Sequence, residues 1–314
     1  MHRIVNGAVR ALAIVACATA CQAARGDAAA TPVTVFAAGS LARPLRAALD
    51  SIAASGGPTA RVEIMGSREM LRAITALGRT PDLIVSADAD ELERTLMPMY
   101  VHSSTTFARN RVVLALSPRS ASASTVTAGT WADRIAAGDL QVARTDPARA
   151  PLGYRTQMVW ALAEARLHRP GLAAKLAAAS PAALLRGNES DLAALLESGN
   201  ADAAWCYESL ARSLHVKYVT LGDSLDLGAD ADSLAYAAVS VKVPGASPGD
   251  SVAIAGTPIR YAIAIAANAP ALQRATALHR RLLDAASVRI MRRIGLDVLD
   301  TARVITSAPR RGSR

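Results

Sequence analysis

The chain has 314 residues, enough for two modest lobes or one large domain. Hydrophobic residues make up 51% of it, which supports a sizeable core and excludes a chain that is disordered throughout. The net charge of +9 comes almost wholly from arginines that are scattered along the chain, with no stripe and no run longer than a pair, so the pattern argues against a nucleic-acid interface. A diffuse positive field of this kind still speeds the arrival of small anions.

Met1 to Arg10 carries Arg3 and Arg10 and no acid, and Ala11 to Ala20 is an apolar run ending in small residues. This reads as a signal peptide over 1–20, too short to span a bilayer permanently. Ala18-Thr19-Ala20-Cys21 has the form of a lipoprotein processing box, so Cys21 is expected to be acylated and to anchor the chain to the membrane. Cleavage near Ala23-Ala24 without a lipid is the alternative. Either route places the protein in the periplasm or cell envelope. Residues 21–32 form a tether, and with Cys21 on the lipid Cys206 is left without a disulfide partner.

Beyond the tether, Val33 to Ala38 is a strand that stops at Gly39-Ser40, where Ala42 to Ala54 starts as a helix with Leu45, Leu49 and Ile52 on one face. Arg61 to Met65 is a second strand, and Gly66-Ser67 opens a second helix in the same way. Pro81 to Ser86 is a third strand running into an acidic helix start at Asp88. Three such units in a row argue for a parallel, doubly wound sheet. Arg111 to Leu116 is a further strand, and the polar stretch Ser117 to Thr130 marks a boundary. Then come a short helix at Trp131 to Ala137, a strand at Leu140 to Ala143, a loop with two prolines from Thr145 to Arg155, and a helix from Gln157 to Leu167. Asn188 and Ser190 cap a helix over Asp191 to Glu197, followed by strands at Ala201 to Cys206, Lys217 to Leu221, Ala235 to Val243 and Ile259 to Ala266. Ala271 to Arg293 reads as one or two helices, and 309–314 as a basic tail.

The expected fold is therefore α/β and two-lobed, each lobe a mainly parallel sheet flanked by helices, with a ligand cleft between them. Lobe I comprises 33–116 plus 259–308 and lobe II comprises 117–258, with hinge points near Ala115-Leu116 and Ile259 to Ala262. Catalysis looks poorly supplied. None of His2, His102, His168, His215 and His279 stands near a serine elbow or a metal-spaced partner, so no enzyme and no cofactor is expected. What remains is a set of helix starts carrying small polar groups, at Ser40, Ser67, Gly153-Tyr154 and Glu208-Ser209. In a doubly wound sheet these lie on one edge, where free N–H groups and the positive dipole end can hold an anion.

Several blocks resemble the periplasmic molybdate/tungstate-binding proteins of ABC importers, within the type II solute-binding proteins. They are Phe36-Ala37-Ala38-Gly39-Ser40-Leu41; Met65-Gly66-Ser67 with Pro81 to Asp88; Thr145-Asp146-Pro147 with Pro151-Leu152-Gly153-Tyr154-Arg155; Tyr207-Glu208-Ser209-Leu210-Ala211; and, more weakly, Pro258 to Tyr261 with Asn268-Ala269-Pro270. The resemblance implies a small oxyanion, molybdate or tungstate, held between the lobes by Ser40, Ser67, Asp146, Gly153, Tyr154, Tyr207 and Glu208. It also implies delivery to an ABC permease by a monomeric protein. In one branch of that family two carboxylates bond the metal itself and make it six-coordinate. This chain departs there, with Ala150 before the second proline of the loop and Cys206 before the tyrosine, which favours a tetrahedral ion held by hydrogen bonds. Sulfate, phosphate or an organic anion remains the alternative ligand.

Overall fold

The computed structural model describes residues 31–245 and 249–307. The signal peptide, Cys21, most of the tether and the basic tail lie outside the described residues.

Val33–Ala38 (β1) is a run of strand-forming side chains with five of its six residues buried. A short 3-10 turn at Gly39–Leu41 leads into Ala42–Ala54 (α1), whose Leu45, Ala48, Leu49 and Ile52 face the core. Ala60–Met65 (β2), Ser67–Thr75 (α2), Leu83–Ser86 (β3) and Ala89–Leu96 (α3) repeat the pattern. The Asp88 side chain caps α3 by accepting the Glu91 N–H at 2.8 Å. β1 lies between β2 and β3, parallel to both. Ser103–Arg109 (β4) and Val112–Leu116 (β5) follow, and only Asn110 and Arg111 separate them.

The second half begins with Ala121–Ser124 (α4), Trp131–Ala136 (α5) and Val142–Thr145 (β6). Pro151–Arg166 (α6) starts with a proline whose missing N–H costs the first turn nothing. Leu172–Ala178 (α7), Leu185–Arg186 (β7), Glu189–Ser198 (α8), Ala203–Tyr207 (β8), Glu208–Leu214 (α9) and Tyr218–Thr220 (β9) complete this half. Its core holds Trp205 edge-on to both Trp131 and Trp160, with ring centres 5.6 and 6.3 Å apart. Ser233–Ala237 (α10) and a hairpin of Ser240–Pro244 (β10) and Ser251–Ala255 (β11) lead back to Arg260–Ile265 (β12). Leu272–Leu282 (α11), Ala285–Arg293 (α12) and Asp297–Thr306 (β13) end the described chain.

Besides the β10-β11 hairpin the described residues form two larger sheets, one for each lobe, in the orders β13-β4-β12-β3-β1-β2 and β7-β6-β8-β5-β9. Each has a parallel heart, β2-β1-β3 and β7-β6-β8, extended by antiparallel strands. This is the two-lobed α/β fold expected from the sequence, with differences in detail. β5 was expected in lobe I, but Val112–Leu116 pairs with β8 on one side and β9 on the other, so it belongs to the second sheet. The chain crosses between sheets at Asn110-Arg111, and it returns beside that point: Asn110 donates its N–H to the Ile259 carbonyl at 3.3 Å. Ala115-Leu116 is therefore mid-sheet and cannot serve as a hinge. Ala235 to Val243 is not one strand either; alanine-rich Ser233–Ala237 is helical, and the strand starts only at Ser240. β4 escaped the sequence reading because its Ser-Ser-Thr-Thr looks like loop, yet Ser104 is fully buried between β12 and β13.

Candidate functional site

The strand ends of the two parallel hearts point into one cleft, and the helices that follow those strands start there. The pocket is lined on one side by Gly39, Ser40, Gly66, Ser67 and Ala87, and on the other by Ala150, Pro151, Leu152, Asn188, Glu189 and Tyr207. Four helical starts thus meet in it: the Gly39–Leu41 turn before α1, and the first turns of α2, α6 and α8; Tyr207 stands just before α9, whose first N–H groups go to the Arg111 carbonyl and Asn110 Oδ1. The first N–H groups of each helix have no carbonyl of their own helix to bond, and each start carries the positive end of a dipole. The walls stand close together, leaving about 10 Å³ open, roughly the room for one water. A wider groove of about 760 Å³ shares the Gly39, Ser40 and Asn188 rim and carries charges of both signs, including Arg43, Arg46, Asp50 and Glu197.

Ser40 and Ser67 are both buried in this lining, as the sequence suggested. The Ser40 oxygen accepts a hydrogen bond from the Tyr261 hydroxyl at 2.9 Å, and the Ser67 oxygen accepts the Ala87 N–H at 3.1 Å. The Ser67 proton is then left to donate into the pocket, while the Ser40 proton turns to the Glu189 carboxyl. Tyr207 also lines the pocket. It is the residue before α9, and its N–H goes to Glu189 Oε1 at 2.8 Å.

The other four candidates are not in the lining. Asp146 uses its side chain to hold its own loop, Oδ1 accepting the Ala148 N–H at 2.8 Å. Gly153 faces the backbone of Asp146 and Pro147, where a Cβ would overlap them, so it permits the loop to pack against α6. The Tyr154 hydroxyl donates across the cleft to Asp88 Oδ2. Glu208 turns outward, with Oε1 accepting from Arg212 at 2.9 Å and from the Tyr218 hydroxyl at 3.0 Å. The two acids nearest to those of the family's six-coordinate branch, Asp146 and Glu208, are thus both committed away from the pocket.

Three features were not legible in the sequence. Gly39 and Gly66 mark where the lobes touch: a Cβ on Gly66 would overlap the Arg149 carbonyl, and one on Gly39 would stand 2.8 Å from the Glu189 nitrogen. Arg155, 3% exposed, reaches from α6 to the Ala87 carbonyl at 2.7 Å, the Tyr207 hydroxyl at 2.6 Å and Asp88 Oδ2 at 2.8 Å. Burial works against its charge, but Tyr207, Asp88 and Tyr154 outweigh that and keep the guanidinium protonated. Glu189 is 4% exposed, and burial pushes its carboxyl up to about 7 against the pull of the Tyr207 N–H, the Ser40 hydroxyl and Arg155. An acid in the first turn of a helix normally reads as a solvated partner of the dipole, so nothing local to Glu189 announces its burial.

Among the described residues no group of three His, Cys, Asp or Glu side chains could hold a free metal ion, and no helix is long and apolar enough to cross a membrane. Cys206 is fully buried, and burial raises its thiol well above the usual range.

Residues 33–297 match the family described as bacterial extracellular solute-binding protein. An uncharacterised solute-binding protein of Petrotoga mobilis is 36% identical over 247 residues, covering 78% of this chain and 77% of its own. The molybdate/tungstate-binding protein WtpA of Pyrococcus abyssi is 27% identical over 258 residues, covering 76% and 74%. The periplasmic molybdate-binding protein of Azotobacter vinelandii has the same fold, with a TM-score of 0.60 at 16% identity over 84% of this chain and 98% of its own. A family match over most of the described chain and a two-lobed fold agree: the chain belongs to the bacterial extracellular solute-binding proteins, a family of solute carriers and not of enzymes.

Proposed function

We propose that the protein captures a small tetrahedral oxyanion, molybdate or tungstate, in the cleft and presents it to an ABC permease. The meeting of four helical starts at one pocket carries this reading, because backbone N–H groups and dipole ends favour an anion without adding a titratable cation. Ser40 and Ser67 supply directed O–H donors from the first lobe, and Tyr207 belongs to the opposite wall. Relatives in the same family named for molybdate and tungstate support the choice of ion. Ala150 and Cys206, where a branch of the family carries acids, support a tetrahedral ion bound by hydrogen bonds alone.

An oxyanion is larger than the room left in the closed pocket, so entry requires the lobes to part. The two crossings at Asn110-Arg111 and at Ile259 are adjacent and short, which suits a hinge there. A lipid on Cys21 would keep the carrier close to its permease.

Thermal unfolding with molybdate, tungstate, sulfate and phosphate tests the proposal. Molybdate and tungstate are expected to raise Tm in a concentration-dependent way, since a ligand bound only by the folded state stabilises it. A clear shift with sulfate or phosphate, and none with molybdate or tungstate, would overturn the choice of ion.

A further inference from the structure

The strongest unexplained group in the molecule is an acid inside an anion site. Glu189 opens α8, lies buried, and lines the same pocket as Ser40 and Ser67. Its Oε1 accepts the Tyr207 N–H at 2.8 Å. The groups that face it are Tyr207 and Cys206 from β8, Tyr261 from β12, the Ser40 hydroxyl and, at longer range, Arg155 from α6. Burial holds both tyrosines and the thiol neutral. Arg155 is already engaged by Ala87, Tyr207 and Asp88, so no cation sits on the Glu189 carboxyl. A carboxylate and a dianion sharing this pocket would repel each other at low dielectric. One proton between them converts that repulsion into a hydrogen bond.

We propose that Glu189 is a proton-carrying ligand group: when a fully deprotonated oxyanion enters, the Glu189 carboxylate takes one proton from solvent and donates the resulting O–H to an oxygen of the ion. The inference rests on the oxyanion reading above. Nothing covalent changes; one proton moves from water to the carboxyl, and its charge offsets part of the dianion. Burial, even against the pull of Tyr207, Ser40 and Arg155, already lifts this group to about 7, and a dianion beside it lifts it further. Below that pH the proton is present before the ion arrives. Above it, each ion bound must bring a proton from solvent, and affinity falls about tenfold per pH unit.

Titration calorimetry with sodium molybdate from about pH 6 to about pH 9 tests this. Wild-type affinity is expected to be level at the acid end and to fall about tenfold per unit above neutrality. Titrations in two buffers of different ionisation enthalpy should count about one proton taken up per ion near pH 8. Glu189→Gln keeps the acceptor for Tyr207 and carries N–H donors at every pH, so its affinity should vary little over the range. Should that variant fail to fold, the proton count on the wild type decides alone. Molybdate binding that is level with pH, a slope that persists in Glu189→Gln, or binding without proton uptake would overturn the inference and leave the oxyanion reading standing. Binding of phosphate alone without net uptake would also overturn it, because the ligand would then bring its own proton. No binding of molybdate, tungstate, sulfate or phosphate at the acid end would bring down the oxyanion reading and this inference with it.

Discussion

A serine whose oxygen already accepts a hydrogen bond has its own proton to give: Ser67, held by Ala87, has it free, and Ser40, held by Tyr261, turns it to the Glu189 carboxyl until that group is protonated. In water such a donor is worth little, because solvent replaces the partner it loses. In a shut pocket it is worth about 1 kcal/mol or more. The double variant Ser40→Ala, Ser67→Ala is therefore expected to bind molybdate about ten- to a hundredfold more weakly, read by calorimetry. Equal affinity would mean that the ion sits elsewhere. The two serines were legible because each follows a glycine at a strand end, a local pattern. Asp146 and Glu208 were expected in the pocket because the resemblance to the molybdate/tungstate-binding proteins implied it. Sequence position could not say which way those side chains turn, and both find partners outside the cleft, Asp146 in its own loop and Glu208 with Arg212 and Tyr218. Glu189 was missed for the converse reason: its burial is decided by Gly39 and Tyr207, which are far from it in sequence.

The starts of α2 and α8 meet elements of the other lobe so closely that only glycine fits at two points. Gly66 has φ −67° and ψ 143°, a conformation open to any residue, so alanine there strains nothing within its own lobe. Its Cβ would nevertheless overlap the Arg149 carbonyl and stand 2.9 Å from the Gly187 carbonyl, both across the cleft. Gly66→Ala is expected to leave the melting temperature without ligand nearly unchanged, to weaken molybdate binding, and to prevent the compaction that small-angle scattering should show when ligand is added to the wild type. A variant that still compacts and binds as before would mean that the lobes meet differently in the bound state. Most elements were legible from periodicity and turn residues, including every member of the two parallel hearts except the two-residue β7. β4 and β13 were not, because one is a buried strand built of serine and threonine and the other a largely exposed edge with an irregular register. Their strand character comes from their neighbours, not from their own residues.

Across the whole molecule the lobes are latched by charge. Asp88, from the first lobe, receives Arg155 at 2.8 Å and the Tyr154 hydroxyl from the second, with both ionic side chains almost fully buried. When the lobes part, water solvates both partners; when they close, each depends on the other. Breaking such a pair from one side costs about 3 kcal/mol or more in the closed form. Asp88→Asn keeps an oxygen to cap α3 but leaves Arg155 without its counter-charge, so molybdate affinity should fall about a hundredfold with little change in the ligand-free melting temperature. Unaltered affinity would show that closure does not depend on the pair. Surface contacts across the cleft, such as Arg149 with Glu69 at 2.8 Å, are exposed and carry far less.

The place of β12 between β3 and β4 has a consequence for how the molecule is made. All five strands of the second sheet lie between residues 112 and 220, so they emerge from the ribosome as one continuous stretch. The first sheet has its opening strands at the very start of that stretch's predecessor, residues 33–109, yet it stays divided until residues 260–265 slide in between them. Domains generally fold as units as synthesis delivers them. Here the half that is synthesised first is the half that is finished last, and the second lobe can be complete while the first still waits for its central strand.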